Sequence, residues 1–227
     1  MTSVAIITGA SQGLGLAIAR KLADEHWKLV IDARRSDRLV RAGDELAAIT
    51  EVVTVAGDVS DAAHRTELVD AASALGPIDL VVNNASTLGA SPLPALDEID
   101  PDVLRRTFDV NVVGPLALSR LALPHLGPGA AIVNITSDAA AEAYPGWGGY
   151  GATKAALEHA SRVLAAEHPE LRVLVVDPGD MRTEMHQDAF PGEDISDRPT
   201  PQESAEGIVR LVTGTSPSGR YVAKEQR

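Results

Sequence analysis

Three groups of residues have the types and spacing to do chemistry. Tyr150 and Lys154 stand four residues apart, so on a helix both side chains leave the same face. A free phenol titrates near ~10, too high for ready proton exchange in neutral water. An ammonium held one turn away favours the phenolate and lowers that value. Such a pair can move a proton near neutral pH, where general acid–base catalysis works best. The second group is Thr8-Gly9-Ala10-Ser11-Gln12-Gly13-Leu14-Gly15, which joins an apolar run to helix-like sequence. Glycines there allow a tight turn and bring backbone N–H groups close to a phosphate, and the helix N-terminus adds partial positive charge. The third group is Arg34-Arg35, just after the second apolar run. A guanidinium offers a rigid donor fork suited to phosphate. Alternatively, Arg34, Arg35 and Arg38 solvate a loop and a helix start.

These residues need a frame. Apolar runs rich in β-branched residues fall at 4–8, 28–33, 51–56, 78–83, 130–136, 172–177 and, more weakly, 220–223. Their lack of alternation fits parallel strands covered on both faces. Helical patterns fill the gaps at 14–25, 38–48, 62–75, 102–126, 150–167 and 202–212. Ser60 precedes the third helix as its expected cap, Asp100-Pro101 places a cap before a proline, and Thr200-Pro201-Gln202-Glu203 is a capping box. Strands alternating with helices predict right-handed βαβ units, an α/β fold built on an open, doubly wound parallel sheet of about seven strands. With no composition break, residues 1–227 are expected to form a single domain. Residues 184–198 show no periodicity, and the stretch 184–200 is expected to be a loop covering the substrate, since ligands bind beyond the carboxyl ends of such strands.

Composition narrows the classes. The 227 residues carry 20 basic and 32 acidic side chains, net −12, which disfavours nucleic acid and anionic membranes as partners. There is no cysteine, which removes disulfides, thiolate metal sites and cysteine nucleophiles. The six histidines (His26, His64, His125, His159, His168, His186) show no metal-ligand spacing, so no metal is expected; most fall on apparent helix surfaces or ends. No Gly-x-Ser-x-Gly elbow supports acyl hydrolysis. The acidic run 192–197 reads as a solvated loop. With no long apolar run and no basic leader, a soluble cytoplasmic protein is expected.

The glycine spacing, Gly-x-x-x-Gly-x-Gly after a threonine, resembles that of the short-chain dehydrogenase/reductase family, specifically its single-domain Tyr-x-x-x-Lys members. The resemblance covers almost the whole chain: Asp58-Val59 follows the third strand, Asn83-Asn84-Ala85 ends the fourth, Asn111 lies in the fourth helix, Ser137 follows the fifth strand, and Tyr150-Gly151-Ala152-Thr153-Lys154 comes 13 residues after Ser137. Pro178-Gly179 and Thr183 complete the pattern, and Ser86 stands where the family has glycine. The resemblance implies a Rossmann-like fold and an NAD(P)-dependent oxidoreductase acting on CH–OH or C=O groups. Gly9, Ser11, Gln12, Gly13, Leu14 and Gly15 would hold the pyrophosphate, Asp58 and Val59 the adenine, Asn84 and Ala85 the cofactor's midsection, and Pro178, Gly179 and Thr183 the nicotinamide carboxamide. Tyr150 would exchange a proton with the substrate oxygen, helped by the positive nicotinamide, and Ser137 would orient that oxygen. Lys154 would bind the nicotinamide ribose and depress the pKa of Tyr150, and Asn111 would bend its helix and hold a water.

Cofactor choice turns on the end of the second strand. Aligned with the family, the selecting position is Ala33 rather than an acidic residue, and Arg34 and Arg35 follow, which favours NADP(H) over NAD(H). Cations beside a helix N-terminus are otherwise unfavourable. Asp32 lies one residue earlier, and a slip of one position would reverse the inference; Gln12 also stands where NADP-preferring relatives often carry a basic residue. The candidate substrate pocket is Ala139, Tyr144, Trp147, Met181, Met185, His186 and Phe190, with Trp147 either walling it or packing the turn into its helix. With no basic cluster near these residues, Arg182 excepted, the expected substrate is a small neutral aldehyde, ketone or alcohol. The alternatives are an NAD-dependent alcohol dehydrogenase of the same family and a non-catalytic dinucleotide sensor. The helices at 102–126 and 150–167 are apolar on more than one side, and the resemblance implies that they build a homodimer or homotetramer.

Overall fold

The computed structural model describes residues 2–226; Met1 and Arg227 of the expected domain lie outside them. The apolar runs form strands β1 (Val4–Ile7), β2 (Lys28–Ala33), β3 (Val52–Ala56), β4 (Ile78–Asn83), β5 (Leu126–Ile135), β6 (Arg172–Asp177) and β7 (Gly219–Val222). All pair in parallel in the order β3-β2-β1-β4-β5-β6-β7. The order runs outward one way from β1 and the other way from β4. The switch between β1 and β4 opens a crevice at the carboxyl ends of the strands, where open α/β sheets bind ligands.

Among the described residues there are eight α-helices: α1 (Gly13–Asp24), α2 (Ser36–Ala47), α3 (Ala62–Leu75), α4 (Pro101–Phe108), α5 (Gly114–Ala122), α6 (Gly148–Glu167), α7 (Glu184–Ala189) and α8 (Pro201–Thr213). The unalternating strands do alternate in where they pack. Ala5 and Ile7 of β1 join Ile18, Leu22, Leu39 and Ile208 in one core, while Val4 and Ile6 join Leu68, Val69 and Leu118 in the other. Each fully buried Val, Leu or Ile side chain among these contributes about 1.5–3 kcal/mol. Asp100 caps α4, accepting from the N–H groups of Asp102 and Val103, and Thr200 and Glu203 form the capping box of α8.

Several expectations are corrected. Residues 102–126 do not form one helix: a π-helical turn, Asp109–Val113, separates α4 from α5. Pro115 has no N–H for the carbonyl of Asn111, and the N–H of Gly114 reaches five residues back to Asp109. Ser60 is not the cap of α3. Its hydroxyl donates to Asp58 at 2.7 Å, and Asp61 caps the helix by accepting from the N–H of Ala63 at 2.9 Å. Nor is 184–200 wholly loop. Thr183 accepts from the N–H of His186 at 3.2 Å and starts α7, whose six residues are too few to register a period. Among the described residues no helix is long and apolar enough to cross a membrane, and no group of three His, Asp or Glu is placed to hold a metal ion.

Candidate active site

The glycine-rich turn is fastened from below. The Thr8 hydroxyl accepts from the N–H groups of Asn84 and Ala85, both at 3.0 Å, and donates to the carbonyl of Val82. The Asn84 amide in turn donates to the carbonyls of Thr8 (2.8 Å) and Gly9 (3.2 Å). The ends of β1 and β4 are thus tied so closely that a Cβ on Gly9 would lie 2.9 Å from Ala85 Cα, and one on Gly15 would lie 2.5 Å from the carbonyl oxygen of Gly9. Gly9 and Gly13 also have φ of +66° and +56°, the left-handed region that glycine enters without strain. From Gly13 onward the first-turn N–H groups of α1 have no intrahelical acceptors, the usual anion-binding end of a helix.

A cleft of about 530 Å³ runs along this face. One end is lined by Arg34, Arg35, Asp58 and Val59, the middle by Gly9, Ser11, Gln12, Gly13, Leu14, Asn84 and Ala85, and the far end by Ser137, Tyr150, Lys154, Pro178, Gly179 and Thr183. The side chain-free cradle at Gly9 and Gly13, the cationic end and the extended shape fit a dinucleotide. Gly15 does not line the cleft; it packs against the back of the turn. Gln12 and Arg38 both bond Glu184 at the start of α7, so a polar bridge crosses the cleft.

Asp32 is 1% exposed. Its carboxylate accepts from the Gly9 N–H at 2.6 Å and faces His64 Nε2 at 2.9 Å. Burial pushes the Asp32 carboxyl up, and the hydrogen bond to Asp32 raises the imidazole of His64, so the pair holds its proton to higher pH than either group alone. His64 is thus buried, unlike the helix-surface positions expected for most of the histidines. Gly57 makes room for it, since a Cβ there would lie 2.2 Å from the ring.

At the other end α6 brings Tyr150 and Lys154 onto one face. Gly151 lets the helix dock on the turn after Ser137, because a Cβ at 151 would lie 2.4 Å from the carbonyl oxygen of Ala139. Lys154 is 2% exposed; Nζ donates to the carbonyl of Ile135 at 2.9 Å and sits 5.4 Å from the centre of the Tyr150 ring. Burial pulls the ammonium down to about 8. Burial also pushes the Tyr150 phenol up. A hydrogen bond with Ser86 opposes that rise, and the carboxylates of Asp177 and Asp138 reinforce it. Burial thus outweighs the Ser86 contact and holds the phenol above its ordinary value. Asn111, fully buried in the π turn, anchors the neighbourhood. Its amide donates to Thr87 O (2.9 Å) and Thr153 Oγ1 (3.0 Å), and its oxygen accepts from Thr87 N and Ser86 Oγ.

Trp147, Met181, Met185 and His186 line the substrate end, together with Leu88, Val110 and Ala189. Trp147 does wall the cleft, meeting Tyr150 edge-on at 5.7 Å between ring centres. Three other proposed pocket residues stand elsewhere. Phe190 lies behind Trp147 and His186, Ala139 is buried under Gly151, and Tyr144 is half out in solvent with its hydroxyl donating to Asp138 at 3.1 Å. Sequence reading also passed over Asp138, which lines the cleft, and the contact of Ser86 with Tyr150. The signal for Ser86 was present, as a hydroxyl where the family has glycine.

Known proteins share this arrangement. The model of the short chain dehydrogenase family matches residues 3–194. The chain is 33% identical over 230 aligned residues to sulfoacetaldehyde reductase 2 of Chromohalobacter salexigens, spanning 96% of this chain and 90% of that one. It is 32% identical over 205 residues to the NADP-dependent (R)-specific alcohol dehydrogenase of Lentilactobacillus kefiri, spanning 87% and 80%. Among solved structures, an alcohol dehydrogenase from the archaeon Thermococcus sibiricus, complexed with 5-hydroxy-NADP, superposes with a TM-score of 0.88 at 30% identity over 98% of this chain and 96% of that one. With the family match running through the nucleotide turn, the Tyr150–Lys154 helix and the strands between them, this chain belongs to the short chain dehydrogenase family and is an NAD(P)-dependent dehydrogenase/reductase.

Proposed function

We propose that the enzyme uses NADPH to reduce a small aldehyde or ketone to an alcohol, with Tyr150 as the proton donor. The observation that carries the reading is the cleft itself, which runs from Arg34 and Arg35 to Ser137, Tyr150 and Lys154. NADPH is favoured because Ala33 ends β2, the two arginines line the cleft beside it, and Asp32 is turned onto Gly9 and His64. The carboxylate that would suit NADH is therefore already engaged. The relative from Lentilactobacillus kefiri, whose name states NADP dependence, supports the same choice.

When bound, the dinucleotide supplies the hydride for the substrate carbon. Tyr150 gives its phenolic hydrogen to the carbonyl oxygen, and a positive charge beside the ring has to offset the rise that burial imposes on the phenol. Lys154, beside the same ring, stabilises the phenolate left behind and binds ribose hydroxyls. Ser137 donates to the substrate oxygen and fixes its direction. Asn111 positions the loop carrying Ser86 and the helix carrying Thr153. Trp147, Met181 and Met185 keep water from the reacting carbon. Exposed Val113, beside α5, and Val163 of α6 suit a homodimer built on those two helices.

The reading is tested by following NADPH consumption over a panel of aldehydes and ketones, with NADH in parallel. Turnover with NADPH, and an Arg34→Ala variant that binds NADPH about tenfold more weakly while NADH changes by less than about threefold, are expected. Equal losses for both cofactors would overturn the cofactor assignment.

A further inference from the structure

Ser137 has one hydroxyl hydrogen, and in this structure that hydrogen goes to its neighbour: Ser137 Oγ donates to Asp138 Oδ1 at 2.9 Å. A carbonyl oxygen can only accept, so Ser137 cannot hold the substrate oxygen while it serves Asp138. Asp138 is well engaged already. Oδ1 also accepts from the N–H of Ala139 at 2.8 Å, and Oδ2 accepts from the Tyr144 hydroxyl at 3.1 Å. A carboxylate has about four acceptor directions, and three are in use. Of the three donors, Ala139 is fixed by the backbone turn, whereas the hydroxyls of Ser137 and Tyr144 can each turn about a C–O bond. Of those two, Ser137 lines the cleft and Tyr144 does not, so the Ser137 hydroxyl is the one a ligand there would displace.

We propose that Asp138 selects the substrate class: the cleft favours carbonyl compounds carrying a hydrogen-bond donor, a hydroxyl or an ammonium, on the carbon next to the carbonyl, because that donor takes over the Asp138 carboxylate and frees the Ser137 hydrogen for the carbonyl oxygen. The spacing fits. Ser137 Oγ and Asp138 Oδ1 are one hydrogen bond apart, so a ligand bridging them must present an acceptor and a donor roughly 3 Å apart, as a 2-hydroxy- or 2-aminoketone does. The exchange moves no covalent bond. The substrate's O–H or N–H turns to Oδ1, and the Ser137 O–H turns from Oδ1 to the carbonyl oxygen. A substrate without the donor must draw the hydrogen away from an anionic acceptor unaided. Asp138 thus binds the substrate's donor directly and, through Ser137, governs the hydrogen that meets the carbonyl oxygen; the proposal rests on the reductase reading above.

Three near-isosteric ketones test it: butanone, hydroxyacetone and aminoacetone. Their kcat/KM values are compared in the wild type, in Asp138→Asn and in Asp138→Ala. Binding is followed separately by the fluorescence of Trp147 on the NADP-loaded protein, with Trp27, packed against the core, as a constant background. The wild type should prefer at least one donor-bearing ketone over butanone by about tenfold in kcat/KM and in affinity, the scale of one charge-assisted hydrogen bond. Asp138→Asn, which keeps the shape, should bring the ratio close to one. Asp138→Ala should raise kcat for butanone, whose Ser137 partner is now free, and raise KM for the other two. A merely structural role for Asp138 would lower all three ketones together. Equal treatment of the ketones by the wild type, or an unchanged preference in Asp138→Asn, overturns the proposal. A binding preference that disappears in Asp138→Asn, without turnover of any ketone, upholds the role of Asp138 and overturns the reductase reading instead. Absence of both binding and turnover overturns the proposal as well.

Discussion

The two ends of the cleft are built from different materials. At the nucleotide end the shape comes from backbone: glycines at positive φ, strand ends tied by Thr8 and Asn84, and a helix N-terminus aimed into the space. At the substrate end it comes from side chains that hold one another, with Ser137 on Asp138, Tyr144 on the same carboxylate, and Ser86 between Asn111 and Tyr150. A backbone cradle tolerates almost no added atom, whereas side-chain hydrogen bonds can be exchanged one for another. Damage should therefore appear as lost folding at one end and as lost chemistry at the other.

The largest expected effect is at the substrate end. Tyr150→Phe removes the donated hydrogen and should lower kcat/KM by about 10²–10⁴-fold while dinucleotide affinity stays within a few-fold, measured by steady-state kinetics and calorimetry. Near-normal turnover would break the comparison, because the phenol would then not be the acid. At the nucleotide end Gly15→Ala should cost about 1–3 kcal/mol of stability in a urea titration, since its Cβ would sit 2.5 Å from the Gly9 carbonyl oxygen. An unchanged midpoint would show that the cradle yields.

Lys154 sharpens the comparison because binding and stability should respond to pH in opposite directions. Its ammonium is pulled down to about 8, so dinucleotide affinity should weaken as pH rises through that value, by up to roughly tenfold per unit. In Lys154→Met that slope should be lost. The folded value lies below the ordinary 10.5, so between about 8 and 10.5 the unfolded chain binds the extra proton, and Lys154's contribution to stability increases with pH. Affinity rising over the same range would contradict the assignment of Lys154 to the ribose. The smallest effect lies away from both ends. His26 has a φ of 60° after α1, and His26→Gly should gain up to about 1 kcal/mol in thermal unfolding without changing turnover.

What the sequence made legible follows the same division. Strand positions, the glycine turn and the Tyr150–Lys154 pair depend on period, residue type and backbone freedom, all of which are local and can be read along the chain. The break in 102–126 was also written there, as Gly114-Pro115, but eleven large apolar residues along the segment outweighed it. The partners of polar side chains are not local. Nothing local marked His64 as the partner of Asp32, and Asp138 carried no pattern at all. Phe190 and Tyr144 were assigned to the pocket by type. Only packing shows that one backs Trp147 and the other leans out to Asp138.

The π turn at Asp109–Val113 has a consequence for length changes in this segment. A π turn holds one more residue than an α turn, and deleting one residue there would let α4 and α5 merge into a more regular helix. Because the turn takes up the extra residue locally, the deletion would leave α4 and α5 facing much as before and would remove the widened turn that places Asn111. Asn111 could then no longer reach Thr87 and Thr153 together. At this one place a shorter chain would make better secondary structure and a worse site, so insertions and deletions are tolerated in the loops around the cleft far more readily than inside its most irregular helix.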